Sequence, residues 1–227
     1  MNDLINLEKN YAEISAQAEK YGAKLLAATK TVPVETINYA INTLGLSLIG
    51  ENRVQELLSK YDFLEKEKTD IHMIGSLQSN KCKYIADKVT LIHSLDSEKL
   101  AKETEKQCAK LGRTVGALIE INIANEENKG GIPAGKLYEF YDKIKDLKHV
   151  CVRVIMTMAP AGAGDAGYRR YFTEARKIYE EFTKNCLPHE SSPILSMGMS
   201  DSYKVALECG SNMIRVGSAL FGKRNYK

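Results

Sequence analysis

The chain has 227 residues, of which 44% are hydrophobic, so it can bury a sizeable core, and we expect one domain spanning residues 1–227. Its 32 basic and 29 acidic residues leave a net charge of +3 without any basic block, which argues against nucleic-acid binding. The five cysteines are scattered and odd in number, so the sequence predicts neither a disulfide framework nor a metal site.

The N-terminal residues lack the positively charged and apolar segments of a secretory signal, and no apolar run approaches membrane-spanning length. We therefore expect a cytoplasmic protein that does not bind membranes. Outside the predicted strands no long apolar patch demands a partner, so we also expect a monomer.

The chain opens with a predicted amphipathic helix over residues 4–21, and Gly22 is a suitable residue to end it. Short apolar runs then alternate with longer segments of helical periodicity. Eight of these runs predict β-strands, at residues 23–29, 46–50, 71–75, 90–93, 115–121, 152–156, 194–196 and 213–216.

Alternating strands and helices are typical of parallel sheets built from βαβ units. Eight strands close naturally into a barrel, so the predicted fold class is α/β, a single (β/α)8 TIM-type barrel with an extra N-terminal helix packed on its exterior or floor. A doubly wound open sheet is the alternative. The segment 159–167 is rich in alanine and glycine and follows a predicted strand, so it is predicted to be a flexible loop over the ligand-binding face.

One candidate site residue is a lysine at the end of the first predicted strand. In a parallel barrel the carboxyl ends of the strands meet at one face, where ligands bind. Lys30 lies at such an end, where a partly desolvated amine would be a nucleophile for Schiff base formation. The structural alternative is a solvated lysine at a helix cap.

The second half of the candidate site lies near the C-terminus, where two predicted strands run into small hydroxyl and glycine residues. Residues 195–201 read LSMGMSD, and residues 214–222 read IRVGSALFG. Backbone N–H groups and the hydroxyls of Ser200 and Ser218 suit a phosphate at such turns, although both serines could equally be helix N-caps. Together with Lys30, these turns predict a ligand that carries both a phosphate and an aldehyde.

Arg215 lies two residues before the turn formed by Gly217 and Ser218, which favours a ligand role over a structural ion pair. If the ligand is pyridoxal phosphate, an arginine facing the pyridine nitrogen only donates a hydrogen bond, so the ring nitrogen stays unprotonated. An unprotonated ring is a poorer electron sink, which disfavours carbanion chemistry. Asn52, in the turn after the second strand, is a candidate ligand residue or a helix cap.

Two histidines inside predicted strands and four methionines in or just after predicted strands are expected to have structural roles. His72 and His93 show no metal-ligand spacing, and we expect them to be satisfied core residues or inward-facing residues of the barrel. A group of methionines could surround a flat ring, but we expect them to pack in the core. They are Met156, Met158, Met197 and Met199.

Five segments, in order along the chain, resemble the pyridoxal phosphate homeostasis protein family, a group of single-domain barrels similar to the N-terminal part of alanine racemase. The segments are residues 28–31 (ATKT), 50–56 (GENRVQE), 72–81 (HMIGSLQSNK), 126–131 (EENKGG), and 195–201 together with 210–222. The resemblance spans nearly the whole chain. One departure is Ser218, where the family commonly has threonine.

The resemblance implies that pyridoxal 5′-phosphate is the cofactor and that Lys30 forms the internal aldimine with it. It also implies that Ser200 and Ser218 bind the phosphate together with backbone amides such as that of Gly217. By the same resemblance, Arg215 approaches the pyridine nitrogen and Asn52 lies beside the cofactor. Lys129 would be an auxiliary amine that binds the cofactor transiently.

The resemblance further implies a carrier for intracellular pyridoxal phosphate homeostasis that passes the cofactor to apo-enzymes, and we expect no catalytic residue. This chain is also expected to lack the second domain from which alanine-racemase-like enzymes supply an opposing acid or base. Two alternatives stay open. One is a small pyridoxal-phosphate-dependent amino acid racemase or lyase, and the other is a phosphate-binding barrel enzyme in which Lys30 is a base.

Overall fold

Strands and helices alternate along residues 2–222, the part of the chain that the computed structural model describes, with side chains described from residue 4 onward. The strands are β1 (Lys24–Ala28), β2 (Leu48–Glu51), β3 (Asp70–Met73), β4 (Leu91–Leu95), β5 (Val115–Asn122), β6 (Ile132–Pro133), β7 (Val150–Thr157), β8 (Ile194–Ser196) and β9 (Met213–Val216). All eight predicted apolar runs are strands, and the two-residue β6 is the strand that the sequence did not predict.

The helices are α1 (Asn2–Lys20), α2 (Val34–Leu44), α3 (Val54–Tyr61), α4 (Glu98–Lys110), α5 (Leu137–Ile144), α6 (Gly164–Cys186), α7 (Tyr203–Glu208) and α8 (Ser218–Phe221). Between β3 and β4 a 3-10 helix, Ser79–Tyr84, stands in place of an α-helix. None of the helices within residues 2–222 has both the length and the apolar character that a membrane crossing requires.

The sheet closes on itself. Every strand pairing is parallel, and the ring runs through β1, β2, β3, β4, β5, β7, β8 and β9, which pairs back onto β1. The short β6 pairs only with the end of β5 and stays outside the ring. The predicted (β/α)8 barrel is therefore confirmed, and the open-sheet alternative is wrong.

Side chains alternate along each strand between the barrel interior and the layer between barrel and helices. Two small apolar clusters fill the interior toward the amino ends of the strands: Leu26, Leu48 and Met213, and Leu91, Leu118 and Met156. Two residues further along β4, β5 and β9, the same inward face carries His93, Glu120 and Arg215. The interior thus changes from apolar to polar toward the carboxyl ends, where the predicted site lies.

The predicted N-terminal helix is confirmed as α1. It packs on the outside of the barrel against β1, α2 and α8, and Leu7 and Ile14 are buried there. The Asn10 amide also donates a hydrogen bond to the Leu220 carbonyl at 3.1 Å. Beyond the helix, Gly22 has φ 64°, a left-handed conformation that glycine adopts without steric cost.

The predicted loop over residues 159–167 is shorter than expected, because α6 begins at Gly164. The loop is tied to the new helix by the Gly162 N–H, which donates to the Tyr168 hydroxyl at 3.2 Å. The prediction of a loop is therefore correct for residues 159–163 and wrong for residues 164–167.

Candidate functional site

A cavity of about 260 Å³ opens at the carboxyl ends of the strands. All six predicted cofactor-binding residues line it: Lys30, Asn52, Ser200, Arg215, Gly217 and Ser218. The remaining lining residues are Ala28, Ile74, Met158, Met199 and Asp201. The structure therefore brings the predicted amine and the predicted phosphate-binding turns, which are far apart in sequence, to one place.

Lys30 lies in the turn that follows β1 and is half-buried. The turn is held against the neighbouring strand, because the Thr29 N–H donates to the Gly50 carbonyl at 3.0 Å. The Thr29 hydroxyl adds a second link, donating to Glu51 Oε1 at 2.8 Å. These contacts place the Lys30 side chain at the cavity wall.

The turns after β8 and β9 face each other across a serine hydroxyl. Ser200 Oγ accepts hydrogen bonds from the backbone N–H of Gly217 at 3.3 Å and of Ala219 at 3.1 Å. Ser200 is not the N-cap residue of the helix that follows it, because α7 begins at Tyr203 and its N-cap residue is Ser202. Because Ser200 Oγ is the acceptor of both N–H groups, its own proton is free to donate, and a hydroxyl donor at such a turn can bind an anion.

The Arg215 guanidinium is buried, with 5% of the residue exposed, and it lies beside the cavity. It donates to Ser196 Oγ at 2.7 Å and to the Thr157 carbonyl at 3.2 Å, so its hydrogen bonds go to neutral groups rather than to a carboxylate. Burial lowers the pKa of Arg215 to about 10, and the charge of Glu120 opposes this shift. The guanidinium is therefore a cation and a pure donor at neutral pH.

A chain of hydrogen bonds continues from Arg215 into the barrel. Ser196 Oγ lies 3.2 Å from His93 Nδ1, and His93 Nε2 lies 3.1 Å from His72 Nδ1. Burial lowers the pKa of His72 to about 4 and that of His93 well below its ordinary value, so both rings are neutral at pH 7. Because Ser196 accepts from Arg215, its own proton can go to His93, and the network assigns His93 the tautomer that donates to His72. The expected inward-facing histidines are thus confirmed.

Glu120 is a buried carboxyl near Arg215 that the sequence analysis missed. Only 5% of the residue is exposed, and burial raises its pKa from 4.5 to about 7, with a further rise from Asp96 and a smaller opposing effect of Arg215. A Cβ on Gly130 would lie 3.6 Å from Glu120 Oε1 and 3.8 Å from Asp96 Oδ2, so both carboxyls border that glycine. A buried carboxyl in this setting holds a proton at mildly acidic pH.

The raised pKa of Glu120 makes the stability of the protein fall as the pH rises. The folded protein binds the Glu120 proton more tightly than the unfolded chain does, so the free energy of unfolding falls by up to about 3 kcal/mol as the pH rises from 4.5 to 7. We expect Glu120→Gln to remove this fall, so that urea denaturation finds the variant more stable relative to wild type at pH 8 than at pH 5. The control is Glu139→Gln, since two lysines lower the pKa of Glu139 to about 2. An equal gain in both variants would contradict the role of Glu120.

Known proteins resemble this chain along nearly its whole length. The family profile described as alanine racemase, N-terminal domain, matches residues 2–225. A pyridoxal phosphate homeostasis protein of Aquifex aeolicus is 41% identical over 234 residues, which cover 100% of both chains. The chain belongs to the pyridoxal phosphate homeostasis protein family.

Two kinds of solved structure resemble this family member. PipY of Synechococcus elongatus, solved without PLP and with PLP bound, has TM-scores of 0.88 and 0.86 at 31% and 30% identity, over 95% of this chain and 100% of PipY. Alanine racemase of Corynebacterium glutamicum has a TM-score of 0.77 at 15% identity, over 97% of this chain and 62% of the racemase. The racemase similarity establishes a common fold.

Several residues outside the predicted set shape the site. Ser196 and Thr157 hold Arg215, and Glu120 lies near it. The sequence could have indicated two of them, because Ser196 and Glu120 occupy strand positions whose side chains point into the barrel, near the carboxyl ends of β8 and β5. Thr157 binds through its backbone carbonyl, for which no sequence signal exists.

The remaining predictions divide between core and cavity. Met156 and Met197 are buried, as expected, whereas Met158 and Met199 line the cavity. Lys129 does not line the cavity but pairs with Glu126 at 2.7 Å, so its role as an auxiliary amine stays a prediction.

Proposed function

We propose that this chain is a single barrel domain that binds pyridoxal 5′-phosphate through a reversible Schiff base to Lys30, and that it takes part in intracellular homeostasis and delivery of this cofactor. The observation that carries the proposal is the shared cavity, which has the Lys30 amine, the Ser200 turn and the Arg215 guanidinium in its wall. The PLP-bound PipY structure, from a relative with the same fold, supports it.

The described side chains fit this cofactor. The Ser200 hydroxyl accepts from the N–H groups of Gly217 and Ala219, and its own proton suits the phosphate. The fixed cation Arg215 suits an unprotonated ring nitrogen. Apolar walls for a flat ring come from Ile74, Met158 and Met199. Asn52 supplies an amide that can donate and accept at the same wall.

When bound, the cofactor supplies an electrophilic aldehyde carbon with which a primary amine condenses, releasing one water molecule. Lys30 supplies that amine, and the turns around Ser200 bind the anionic end. Because condensation is reversible, these residues can hold a reactive aldehyde and release it to a competing amine or to an apo-enzyme.

A carrier is favoured over a racemase or lyase by what lines the cavity. Inversion at a carbon needs an acid and a base on opposite sides of it. Apart from Lys30, the ionisable lining residues among those described are Asp201, which is exposed, and Arg215, which stays protonated. We therefore propose that the chain has no catalytic residue. We further propose that it is a monomer in the cytoplasm and that it meets apo-enzymes transiently.

The test is a spectrum followed by reduction. After incubation with pyridoxal 5′-phosphate we expect a visible absorption band that borohydride removes, and a reduced pyridoxyl group that peptide mapping locates on Lys30. Lys24→Ala is the matched control, because Lys24 begins the same strand at the opposite end of the barrel. The absence of a band, or a label that persists in Lys30→Ala, would contradict the proposal. The absence of a band would favour the alternative of a phosphate-binding barrel enzyme in which Lys30 is a base.

The racemase or lyase alternative is tested by a separate measurement. It requires exchange of the α-hydrogen of an amino acid for deuterium, at a rate that Lys30→Ala abolishes. We expect no such exchange by the loaded protein across a broad panel of amino acids, measured by proton NMR in deuterium oxide.

A further inference from the structure

The two peptide groups that flank Lys30 are both held by charged side chains from outside the cavity. Lys60 Nζ donates to the Thr29 carbonyl at 2.8 Å, on one side of Lys30. On the other side, the Thr31 N–H donates to Glu56 Oε1 at 2.5 Å. Hydrogen bonds from charged side chains therefore hold the backbone on both sides of Lys30.

These two contacts belong to one cluster. Besides the Thr29 carbonyl, Lys60 Nζ donates to Glu51 Oε1 at 2.8 Å and to Glu56 Oε1 at 2.7 Å, so all three ammonium protons have acceptors. Glu51 Oε1 also accepts from the Thr29 hydroxyl at 2.8 Å. We call Glu51, Glu56 and Lys60 the charged bracket.

Two of the bracket residues, Glu51 and Glu56, lie in the GENRVQE segment at residues 50–56, and Lys60 follows that segment by four residues. Glu51 ends β2 next to β1, and Glu56 lies in the first turn of α3. Lys60 follows one helical turn later, so it faces Glu56 on the same side of the helix. Strand pairing and helix period together bring all three side chains to the turn after β1.

The bracket carries costs that a cluster serving stability alone would avoid. Lys60 is buried, with 8% of the residue exposed, and buried ion pairs are often replaceable by apolar residues without loss of stability. Within the described part of the chain, the buried Glu51 Oε2 has no hydrogen-bond partner, which is unfavourable for a carboxylate.

The turn that the bracket holds is itself strained. Thr31 has φ 64°, a left-handed conformation that is unfavourable for a β-branched residue. The hydrogen bond from the Thr31 N–H to Glu56 stabilises this conformation, which sets the direction in which the chain leaves Lys30. Loss of this hydrogen bond would leave the strained conformation of Thr31 without that stabilising contact.

We propose that Glu51, Glu56 and Lys60 are positioning residues that hold the backbone around Lys30 so that its amine faces the phosphate-binding turns. The inference rests on the proposed function, since it assigns the bracket a role in aldehyde capture. None of the three residues lines the cavity, so the bracket acts through Lys30 rather than by touching the ligand.

The test compares two ligands that differ at one group. Pyridoxal 5′-phosphate offers an aldehyde to Lys30, whereas pyridoxine 5′-phosphate carries an alcohol there and reports on phosphate and ring binding alone. For Lys60→Met we expect the dissociation constant of pyridoxal 5′-phosphate to rise about tenfold, while that of pyridoxine 5′-phosphate changes less than about twofold. Borohydride labelling of Lys30 should slow in parallel.

Two further variants keep the test decisive. Lys102→Met is the matched control, because Lys102 forms the same i,i+4 pair with Glu98, at 2.6 Å, on the exposed face of α4. If Lys60→Met fails to fold, Glu56→Ala removes the Thr31 contact at a partly exposed side chain and should show the same preferential loss of the aldehyde ligand.

Loss of both ligands to the same extent would mean general damage and would overturn the positioning role, as would no loss of either. The proposed function is judged on wild type alone. If wild type binds the aldehyde no more tightly than the alcohol, that function fails. If wild type prefers the aldehyde and the folded bracket variants keep the preference, only the bracket role fails.

Discussion

Ser200→Asp is expected to weaken the binding of pyridoxal 5′-phosphate about a hundredfold. In the structure the Ser200 hydroxyl accepts from the N–H groups of Gly217 and Ala219. A carboxylate at this position would take the same two donors and would place a negative charge beside the phosphate. The anion would lose the serine hydroxyl as a donor and meet a like charge, an effect that isothermal titration calorimetry can measure.

Two variants separate this effect from others. Ser192→Asp adds the same charge at an exposed residue of the same part of the chain and should leave the dissociation constant unchanged. Ser200→Ala removes the hydroxyl without adding charge, and we expect a loss of about tenfold or less. If Ser200→Asp binds the cofactor within about threefold of wild type, the phosphate does not lie at this turn.

Gly75→Ala is expected to destabilise the folded protein by about 3 kcal/mol. A Cβ at this position would lie 2.1 Å from the Asn52 carbonyl oxygen and 2.8 Å from its carbonyl carbon. Both are backbone atoms, so the clash cannot be relieved by a side-chain rotation, and one of the two turns must move. Since Asn52 lines the cavity, affinity for the cofactor should fall as well.

Urea denaturation monitored by circular dichroism measures this change in the free energy of unfolding. Gly135→Ala is the control, because a Cβ there meets nothing within 4 Å, and we expect a change below about 0.5 kcal/mol. Equal stability of the two variants would contradict the close approach of the Gly75 and Asn52 backbones seen in the structure.

Much of this protein follows from local sequence rules. Eight short apolar runs separated by helical periodicity predict a parallel barrel, because apolar runs of that length suit strands buried on both faces. Once the strands are parallel, their carboxyl ends meet at one face. That geometric fact is why Lys30, Ser200 and Arg215 could be assigned to one site although they lie far apart in the chain.

The contacts that set the chemistry of the site are decided at another level. Arg215 could have paired with a carboxylate, and only the packed barrel shows that it binds Ser196 and the Thr157 carbonyl instead. Likewise, no periodicity in the sequence indicates that Lys60 reaches the Thr29 carbonyl. The 3-10 helix after β3 and the early start of α6 also escaped prediction, because helix boundaries depend on packing against neighbours.

The sequence by itself indicated the eight barrel strands, their alternation with helices and the face on which the amine and the hydroxyl turns converge. The tertiary structure alone decided which buried polar groups bind one another, which carboxyl holds a proton near neutral pH and which turn is strained. The physical reason is the separation along the sequence between the residues that interact. Apolar periodicity is a property of neighbouring residues, whereas a buried polar group must find its partner wherever the register of distant strands brings one within about 3 Å.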